Sequence, residues 1–337
     1  MCAADRSLPA PVLLGDGKPA GWGPVDDDES VAAIRAAYDG GVRFVDTADV
    51  YGCGHAERVV GRAIAPFRDD VVLATKVGLV FDEGTRAGAG SDLSAAHIRK
   101  ACDQSLRRLG VEHIDLYQIH PGDTGARQAQ EVVGAFEELV AAGKIRAYGT
   151  SATDPDVIAV VAVGGHGVSV QQELNVFGAD EPALAACERH DLAVLARTPL
   201  AMGLLSGKYR APDQLPAGDV RRHTPWWTFF DEVQMPQWLA RLDAVRDVLT
   251  SGGRTLVQGA LAYVWARSER AVALPGVRTA AQVRELVGAL AHGPLDAEQL
   301  AAVDRLLLEP GRMSELASES MSQRPREAPA ERSEAVR

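Results

Sequence analysis

Four side chains whose types suit proton transfer stand at or just beyond the ends of short apolar runs. Asp46 ends VRFVD, Lys76 ends VVLATK, His120 ends IDLYQIH, and Tyr51 lies in DVYGCGHAE. A carboxylate can hold an ammonium group in place, and a nearby ammonium lowers the pKa of a phenol from its ordinary value of about 10. An imidazole beside them can hydrogen-bond a substrate oxygen. Together these groups suit the protonation of an oxygen after hydride addition to a carbonyl carbon.

Each of the four residues also has a structural interpretation. Asp46 can cap or anchor a loop, Tyr51 can pack within it, and His120 can be a hydrogen-bonded core histidine. Lys76 is the least ordinary, because a lysine that closes a buried strand needs a partner or an opening to solvent. The chemical interpretation therefore depends on whether the fold brings the four together.

The elements that must position them alternate along the chain, with short β-branched runs followed by stretches of helical periodicity. Strands are predicted at Val42–Asp46, Val71–Lys76, Ile114–His120, Ile145–Thr150, Val168–Glu173, Leu192–Arg197 and Ala271–Pro275. Their nearly continuous apolar cores are typical of parallel strands buried on both faces. A helix is predicted from an N-cap at Ser94 to Gly110, with similar segments between the other strands. The alternation predicts an α/β barrel or a doubly wound sheet.

Two observations favour the barrel. No strand is followed by GxGxxG, the glycine pattern of a dinucleotide-binding wound sheet. Polar residues stand near the carboxyl ends of the strands, which converge on one mouth in an α/β barrel. These residues are Asp46, Lys76, His120, Ser151, Gln171 and Arg197.

Composition narrows the class of protein. The 337 residues carry a net charge of −11, which argues against binding to nucleic acid or to an anionic membrane. No apolar run approaches the roughly 18 residues that span a bilayer, and no secretory signal is recognisable. The cysteines (Cys2, Cys53, Cys102 and Cys187) lack the spacing of a metal site or disulfide framework. We therefore expect a cytoplasmic protein without metal sites or disulfides, a composition that is compatible with a cytosolic enzyme, and we leave its oligomeric state open.

Seven segments carry a resemblance to a known family. GVRFVDTADVYGCGHAE, VVLATKVG, IDLYQIH, GKIRAYGTSA, QQELNVF, RTPLAMGLLSGKY and LPGVRTAAQVREL follow one another as in the aldo-keto reductase superfamily, which the chain resembles over roughly residues 21–308. The resemblance implies a (β/α)8 TIM barrel and NADPH-dependent reduction of an aldehyde, ketone or sugar-derived carbonyl. It makes Tyr51 the general acid, with Lys76, held by Asp46, tuning its pKa and His120 orienting the carbonyl.

The same resemblance assigns residues to the cofactor, with NADPH preferred and NADH not excluded. Ser151 and Gln171 match positions that hydrogen-bond the nicotinamide carboxamide. The segment Arg197–Lys208 matches the loop around the pyrophosphate, and its expected contacts are Arg197, Leu200, Gly203, Leu205 and Lys208. The adenosine end matches Gly276, Arg278, Gln282 and Glu285, where Arg278 meets the 2′-phosphate because a guanidinium pairs well with phosphate. An exposed helix face is the alternative for Gln282 and Glu285.

The sequence also departs from the family pattern. Arg197 replaces a common aromatic residue, Ala152 replaces an asparagine, and Leu286 follows Glu285 where the family has asparagine. The first strand of the barrel is degenerate or missing: PAPVLL (Pro9–Leu14) is its remnant, or the barrel has seven regular strands, or the true start lies upstream. We expect an atypical N-terminus over residues 1–20, a barrel over 21–310 and a disordered tail over 311–337.

Substrate specificity is expected in the loop 212–235, where Trp226, Trp227 and Phe230 form an apolar wall over the pocket or pack the loop onto its own barrel. The segment GKPAGWGPVDDDES resembles reductases of nucleotide-activated deoxysugars, which suggests a hexose-type substrate. A cofactor-binding regulatory or weakly active homologue is the alternative function. A barrel hydrolase is disfavoured, because no second strand-end carboxylate pairs with Asp46.

Overall fold

A computed structural model describes residues 21–22, 25–216, 218–222 and 227–308 of the chain. Four features of the sequence analysis lie outside these residues. They are the N-terminal segment 1–20 with its candidate strand Pro9–Leu14, the tail 311–337, Cys2 and Trp226.

Seven of the ten strands in the described residues match the predicted runs, whereas Leu79–Asp82, Ala87–Ser91 and Gly178–Ala179 were not predicted. The ten strands are Phe44–Asp46 (β1), Val72–Val77 (β2), Leu79–Asp82 (β3), Ala87–Ser91 (β4), Ile114–Ile119 (β5), Ile145–Thr150 (β6), Gly167–Asn175 (β7), Gly178–Ala179 (β8), Ala193–Arg197 (β9) and Ala271–Leu274 (β10). Seven of them form one parallel sheet in the order β1-β2-β5-β6-β7-β9-β10. The antiparallel hairpin of β3 and β4 is separate from this sheet, and the short β8 pairs with β7.

Helices cover the outside of the sheet. They are Asp27–Asp39 (α1), His55–Ile64 (α2), Ala95–Leu109 (α3), Ala126–Ala141 (α4), Pro155–Val163 (α5), Glu181–Arg189 (α6), Met235–Thr250 (α7), Leu256–Arg267 (α8), Ala280–Gly288 (α9) and Ala297–Leu307 (α10). The Ser94 hydroxyl accepts from the His97 amide at the start of α3, and Gly110 ends this helix with φ +67°, as predicted. None of the described helices is long and apolar enough to cross a membrane.

The barrel interior changes from apolar to polar along the strands. Ala74, Leu116 and Leu195 form a small apolar layer contributed by β2, β5 and β9. Because side chains on a strand alternate between its faces, the next inward positions on β2 and β5 are Lys76 and Gln118, which are register partners. The apolar layer therefore lies directly below the polar mouth.

In the described part of the chain, the edge strands β1 and β10 each pair with one parallel neighbour. A cavity of about 450 Å³ lies between them, with Phe44, Val45 and the segment 271–277 in its wall. The barrel is thus nearly closed by seven strands. The prediction that its first strand is degenerate or missing stays a prediction, because residues 9–14 lie outside the described chain.

Gly61 lies where two helices of the outer layer approach each other closely, and its replacement tests this packing. A Cβ there would stand 2.2 Å from the carbonyl oxygen of Leu109, at the point where α2 approaches the end of α3. We expect Gly61→Ala to lower the free energy of unfolding by about 1–3 kcal/mol, because the two helices must move apart. Gly134 on α4 has nothing within 4 Å of such a Cβ, and Gly134→Ala should raise stability by about 0.5–1 kcal/mol. Equal urea-unfolding midpoints for the two variants would contradict the close approach.

Candidate active site

The ammonium group of Lys76 lies at the centre of the mouth. Its side chain is fully buried, and Nζ donates to Asp46 Oδ2 at 2.6 Å and to the carbonyl oxygen of Thr47 at 2.8 Å. A buried lysine keeps its charge only when it is paired and hydrogen-bonded in this way. Asp46, the partner predicted for Lys76, is therefore the carboxylate that pairs with it in the structure.

The carboxylate of Asp46 is itself held by two further strands. Its Oδ1 accepts from Gln118 Nε2 and from Gln171 Nε2, each at 3.1 Å. Gln171 was predicted as a contact of the nicotinamide, a role that stays a prediction, whereas Gln118 was not singled out. The signal for Gln118 was available: it is an amide near the carboxyl end of a buried strand, two residues before His120 and therefore on the same face.

Tyr51 reaches this group from a tight turn between β1 and α2. Gly52, Cys53 and Gly54 all have positive φ, which folds the chain back so that α2 begins at His55. Lys76 Nζ lies 5.3 Å from the centroid of the Tyr51 ring. The four predicted residues thus meet at one end of the barrel.

His120 completes the group directly after β5. Its ring stands edge-on to that of Tyr51, with centroids 5.7 Å apart and planes at 84°. Loss of water around the imidazole lowers the pKa of His120 well below its ordinary value, and the charges of Lys76 and Arg197 lower it further. The imidazole is consequently neutral at physiological pH, and one of its ring nitrogens carries a proton that it can donate.

The rim above these residues holds several of the predicted cofactor contacts. Ser151 follows β6 and donates from Oγ to the carbonyl oxygen of Gln171 at 3.2 Å. Arg197 ends β9 with 38% of its side chain exposed and Nη1 3.5 Å from Glu173 Oε2. Thr198 follows, and its Oγ1 is buried with no hydrogen-bond partner in the described residues. The rim therefore combines a partly exposed guanidinium with two hydroxyl groups, one of which already donates and the other of which is buried.

Comparisons with known proteins agree with this geometry. The profile of the Aldo/keto reductase family matches residues 11–308. This chain belongs to the aldo/keto reductase family. The aldo-keto reductase yakc of Schizosaccharomyces pombe, designated NADP(+), is 30% identical over 280 residues, which cover 80% of each chain.

Solved structures give the same result. Glycerol dehydrogenase AKR11B4 from Gluconobacter oxydans matches with a TM-score of 0.74 and 33% identity over 87% of this chain and 91% of that one. An aldo-keto reductase from Klebsiella pneumoniae in complex with NADPH matches with a TM-score of 0.65 and 31% identity over 90% and 93% of the two chains. The predicted barrel fold and the predicted enzyme class, an oxidoreductase of the aldo-keto reductase type, are confirmed.

In this aldo-keto reductase the predicted pyrophosphate residues differ in exposure. Lys208 is exposed, and Leu200 and Gly203 are half-buried. Leu205 is fully buried in the apolar cluster beneath α7 and α8. Its side chain anchors the loop, so only its backbone is left to face a cofactor.

The residues predicted for the adenosine end follow β10. Gly276 and Arg278 are exposed. The side-chain oxygen of Gln282 accepts from the backbone amides of Arg278 and Thr279, at 2.8 and 3.3 Å, and so caps the start of α9. Glu285 is half-buried on the same helix. Gln282 thus has a structural role that the sequence analysis did not assign, and its role toward adenosine stays a prediction.

The residues predicted to form an apolar wall over the pocket differ in how deeply they are buried. The Phe230 ring is 3% exposed and packs edge-on against Tyr209 with centroids 5.3 Å apart. Trp227 is half-buried against the same apolar cluster. Packing of the loop onto its own barrel therefore describes Phe230, which has little surface left for a substrate. A substrate contact by Trp227 stays a prediction.

A buried ionic network supports the site from behind. Glu57 Oε2 accepts from Arg108 Nε at 2.6 Å, and Glu57 Oε1 accepts from Thr75 Oγ1 at 2.7 Å. Asp49 is buried on the turn that carries Tyr51. Burial raises the pKa of Asp49 well above its ordinary value, and the Glu57 carboxylate raises it further. The sequence analysis did not identify this network, because Glu57 and Arg108 lie far apart along the chain. They meet only when their two helices pack together.

Asp49 makes the stability of the protein depend on pH. The folded state binds the Asp49 proton more tightly than the unfolded chain does, so this residue stabilises the fold less as the pH rises above about 4. Asp49→Asn keeps the oxygen that accepts from the Val50 amide and removes this dependence. We expect the variant to gain on the order of 1 kcal/mol relative to wild type between pH 5 and pH 7, measured by urea unfolding. A stability difference between Asp49→Asn and wild type that does not change with pH would contradict the assignment.

Proposed function

We propose that this chain reduces an aldehyde, ketone or sugar-derived carbonyl with NADPH, and that Tyr51 is the general acid. The observation that carries the proposal is the convergence of Tyr51 and His120 on the buried Lys76–Asp46 pair. A phenol, a neutral imidazole and a paired ammonium at one mouth suit a carbonyl oxygen that gains negative charge during the reaction.

Each residue has a distinct part in this reaction. His120 donates a hydrogen bond to the carbonyl oxygen and orients it beside Tyr51. Tyr51 gives its phenolic proton to that oxygen as the carbonyl carbon is reduced. The ammonium of Lys76 favours the phenolate that this transfer leaves, and Asp46 holds the ammonium in position. In the oxidative direction, Tyr51 is the base.

The rim carries positive charges and hydrogen-bond donors that suit a dinucleotide. Lys208 and Arg278 are exposed cations that follow the adjacent strands β9 and β10. Ser151 follows β6 and Thr198 follows β9, and both bring hydroxyl groups to the carboxyl ends of the strands. When bound, the cofactor supplies the hydride. Arg278 and Lys208 would hold its phosphates, and Ser151 with Gln171 its carboxamide.

The substrate class is the finer part of the proposal. The similar enzyme from Gluconobacter oxydans is a glycerol dehydrogenase, and the segment GKPAGWGPVDDDES suggests a hexose. Arg197 and Glu173 place one cation and one anion at the rim, which suits hydroxylated substrates better than wholly apolar ones. A carbonyl panel should therefore include glyceraldehyde, dihydroxyacetone, hexoses and an aromatic aldehyde.

Replacement of Tyr51 by phenylalanine tests the proposed acid. Tyr51→Phe removes the transferred proton and leaves the ring, so we expect kcat for NADPH-dependent reduction to fall by about 10²–10⁴-fold while the Kd for NADPH stays the same. Tyr38→Phe is the matched control, because its hydroxyl donates to Asp70 on the outside of the barrel. Full activity in Tyr51→Phe would overturn the mechanism. NADPH binding by a wild-type protein that reduces no member of the panel would instead support the regulatory alternative.

Arg278 tests the preference for NADPH over NADH. Loss of a guanidinium that meets the 2′-phosphate costs about 1.5–3 kcal/mol, so Arg278→Ala should raise the Kd for NADPH roughly 10- to 100-fold and change that for NADH little. Arg284→Ala removes the same charge from an exposed position on α9 and serves as the control. Fluorescence titration with both cofactors measures the effect. An equal rise in the Kd for NADPH and in the Kd for NADH would show that Arg278 does not recognise the 2′-phosphate.

A further inference from the structure

The turn that follows β9 has an unusually strained backbone. Thr198, Ala201 and Met202 all have positive φ, between 46° and 55°, although none is glycine. A residue held in this region costs on the order of 1–3 kcal/mol and keeps the conformation only where its surroundings enforce it. Some contact outside the turn must therefore stabilise its shape.

Arg221 supplies such a contact. Its Nη1 donates to the carbonyl oxygen of Met202 at 2.9 Å, and a Cβ on the next residue, Gly203, would lie 3.2 Å from the same nitrogen. The guanidinium of Arg221 therefore packs directly against the left-handed part of the turn. Arg221 itself lies well outside the turn in the sequence.

Asp219 holds this guanidinium in a planar, two-point pairing. Nε of Arg221 donates to Asp219 Oδ1 at 2.9 Å and Nη2 donates to Oδ2 at 2.7 Å. Asp219 is fully buried and Arg221 is 8% exposed. A buried pair of this kind is costly to break, because either partner left behind is an uncompensated charge.

Aromatic rings close around the guanidinium. Its central carbon lies 4.9 Å from the ring of Trp22, 5.0 Å from that of Tyr209 and 5.1 Å from that of Phe230. These rings belong to three separate stretches of chain. The Val220 amide also donates to the carbonyl oxygen of Gly21 at 2.8 Å, so Gly21 and the adjoining Trp22 are held at the same point.

We propose that Arg221, fixed by Asp219, is a positioning residue that holds the turn Thr198–Gly207 ready for the pyrophosphate of the cofactor. This inference rests on the proposed function, since the turn contains residues assigned to the pyrophosphate. A turn that adopts the binding shape only part of the time binds more weakly by that fraction. Arg221 thus contributes to affinity without contacting the cofactor itself.

Two nucleotide fragments separate this role from a general loss of structure. For Arg221→Ala we expect the Kd of 2′-phospho-ADP-ribose, which contains the pyrophosphate, to rise about tenfold or more. The Kd of adenosine 2′-phosphate, which lacks it, should stay the same. Arg221→Lys keeps the charge but loses the two-point pairing, and should behave like Arg221→Ala. Arg222→Ala, which removes an exposed neighbour bonded to the Leu215 carbonyl oxygen, should leave both unchanged.

Hydrogen–deuterium exchange in the ligand-free protein tests the same inference without any nucleotide. Peptides that cover residues 198–209 should exchange faster in Arg221→Ala than in wild type, and at the wild-type rate in Arg222→Ala. Unchanged exchange, unchanged binding of the pyrophosphate fragment, or equal loss of both fragments would each overturn the inference. If wild-type protein binds no nucleotide, the proposed function fails, and the exchange rates still decide whether Arg221 holds the turn.

Discussion

The structure depends on keeping one ammonium group charged inside the barrel. Lys76 is fully buried, and the free energy of removing its charge from water must be recovered by its pairing with Asp46. Asp46 in turn needs donors for its second oxygen, which Gln118 and Gln171 provide from β5 and β7. One ion pair and its hydrogen bonds therefore link β1, β2, β5 and β7 at the mouth.

The barrel can meet this requirement because its strands lie parallel and in register. Lys76 and Gln118 are partners on adjacent strands, so their side chains enter the interior at the same level. The layer below them consists of apolar residues contributed by β2, β5 and β9. The charges are thus confined to the end of the barrel where the connecting loops can reach them.

The sequence predicted the features that depend on short-range pattern. Runs of apolar residues indicated the seven parallel strands, and Ser94 and Gly110 indicated the limits of α3. The strand ends indicated Asp46, Lys76 and His120, which meet Tyr51 at the mouth. Features that depend on three-dimensional packing were missed or left open between alternatives. The burial of Phe230 against Tyr209 and the use of Gln282 as a helix cap are examples. In both cases the side chain could contact a ligand as readily as it could pack or cap a helix, so the residue type alone does not predict its role. The neighbouring residues in the fold determine that role.

The site combines two kinds of support with different physical origins. Its floor is rigid because strands carry Lys76 and Gln118, and ladder hydrogen bonds fix their positions. Its rim is a turn whose backbone is intrinsically unfavourable, and a buried ion pair from another loop stabilises that turn. Under the proposed function, chemistry at the floor and affinity at the rim are set by separate contacts. Changes in the loops around Arg221 are then expected to alter the binding of a cofactor while the group around Lys76 stays intact.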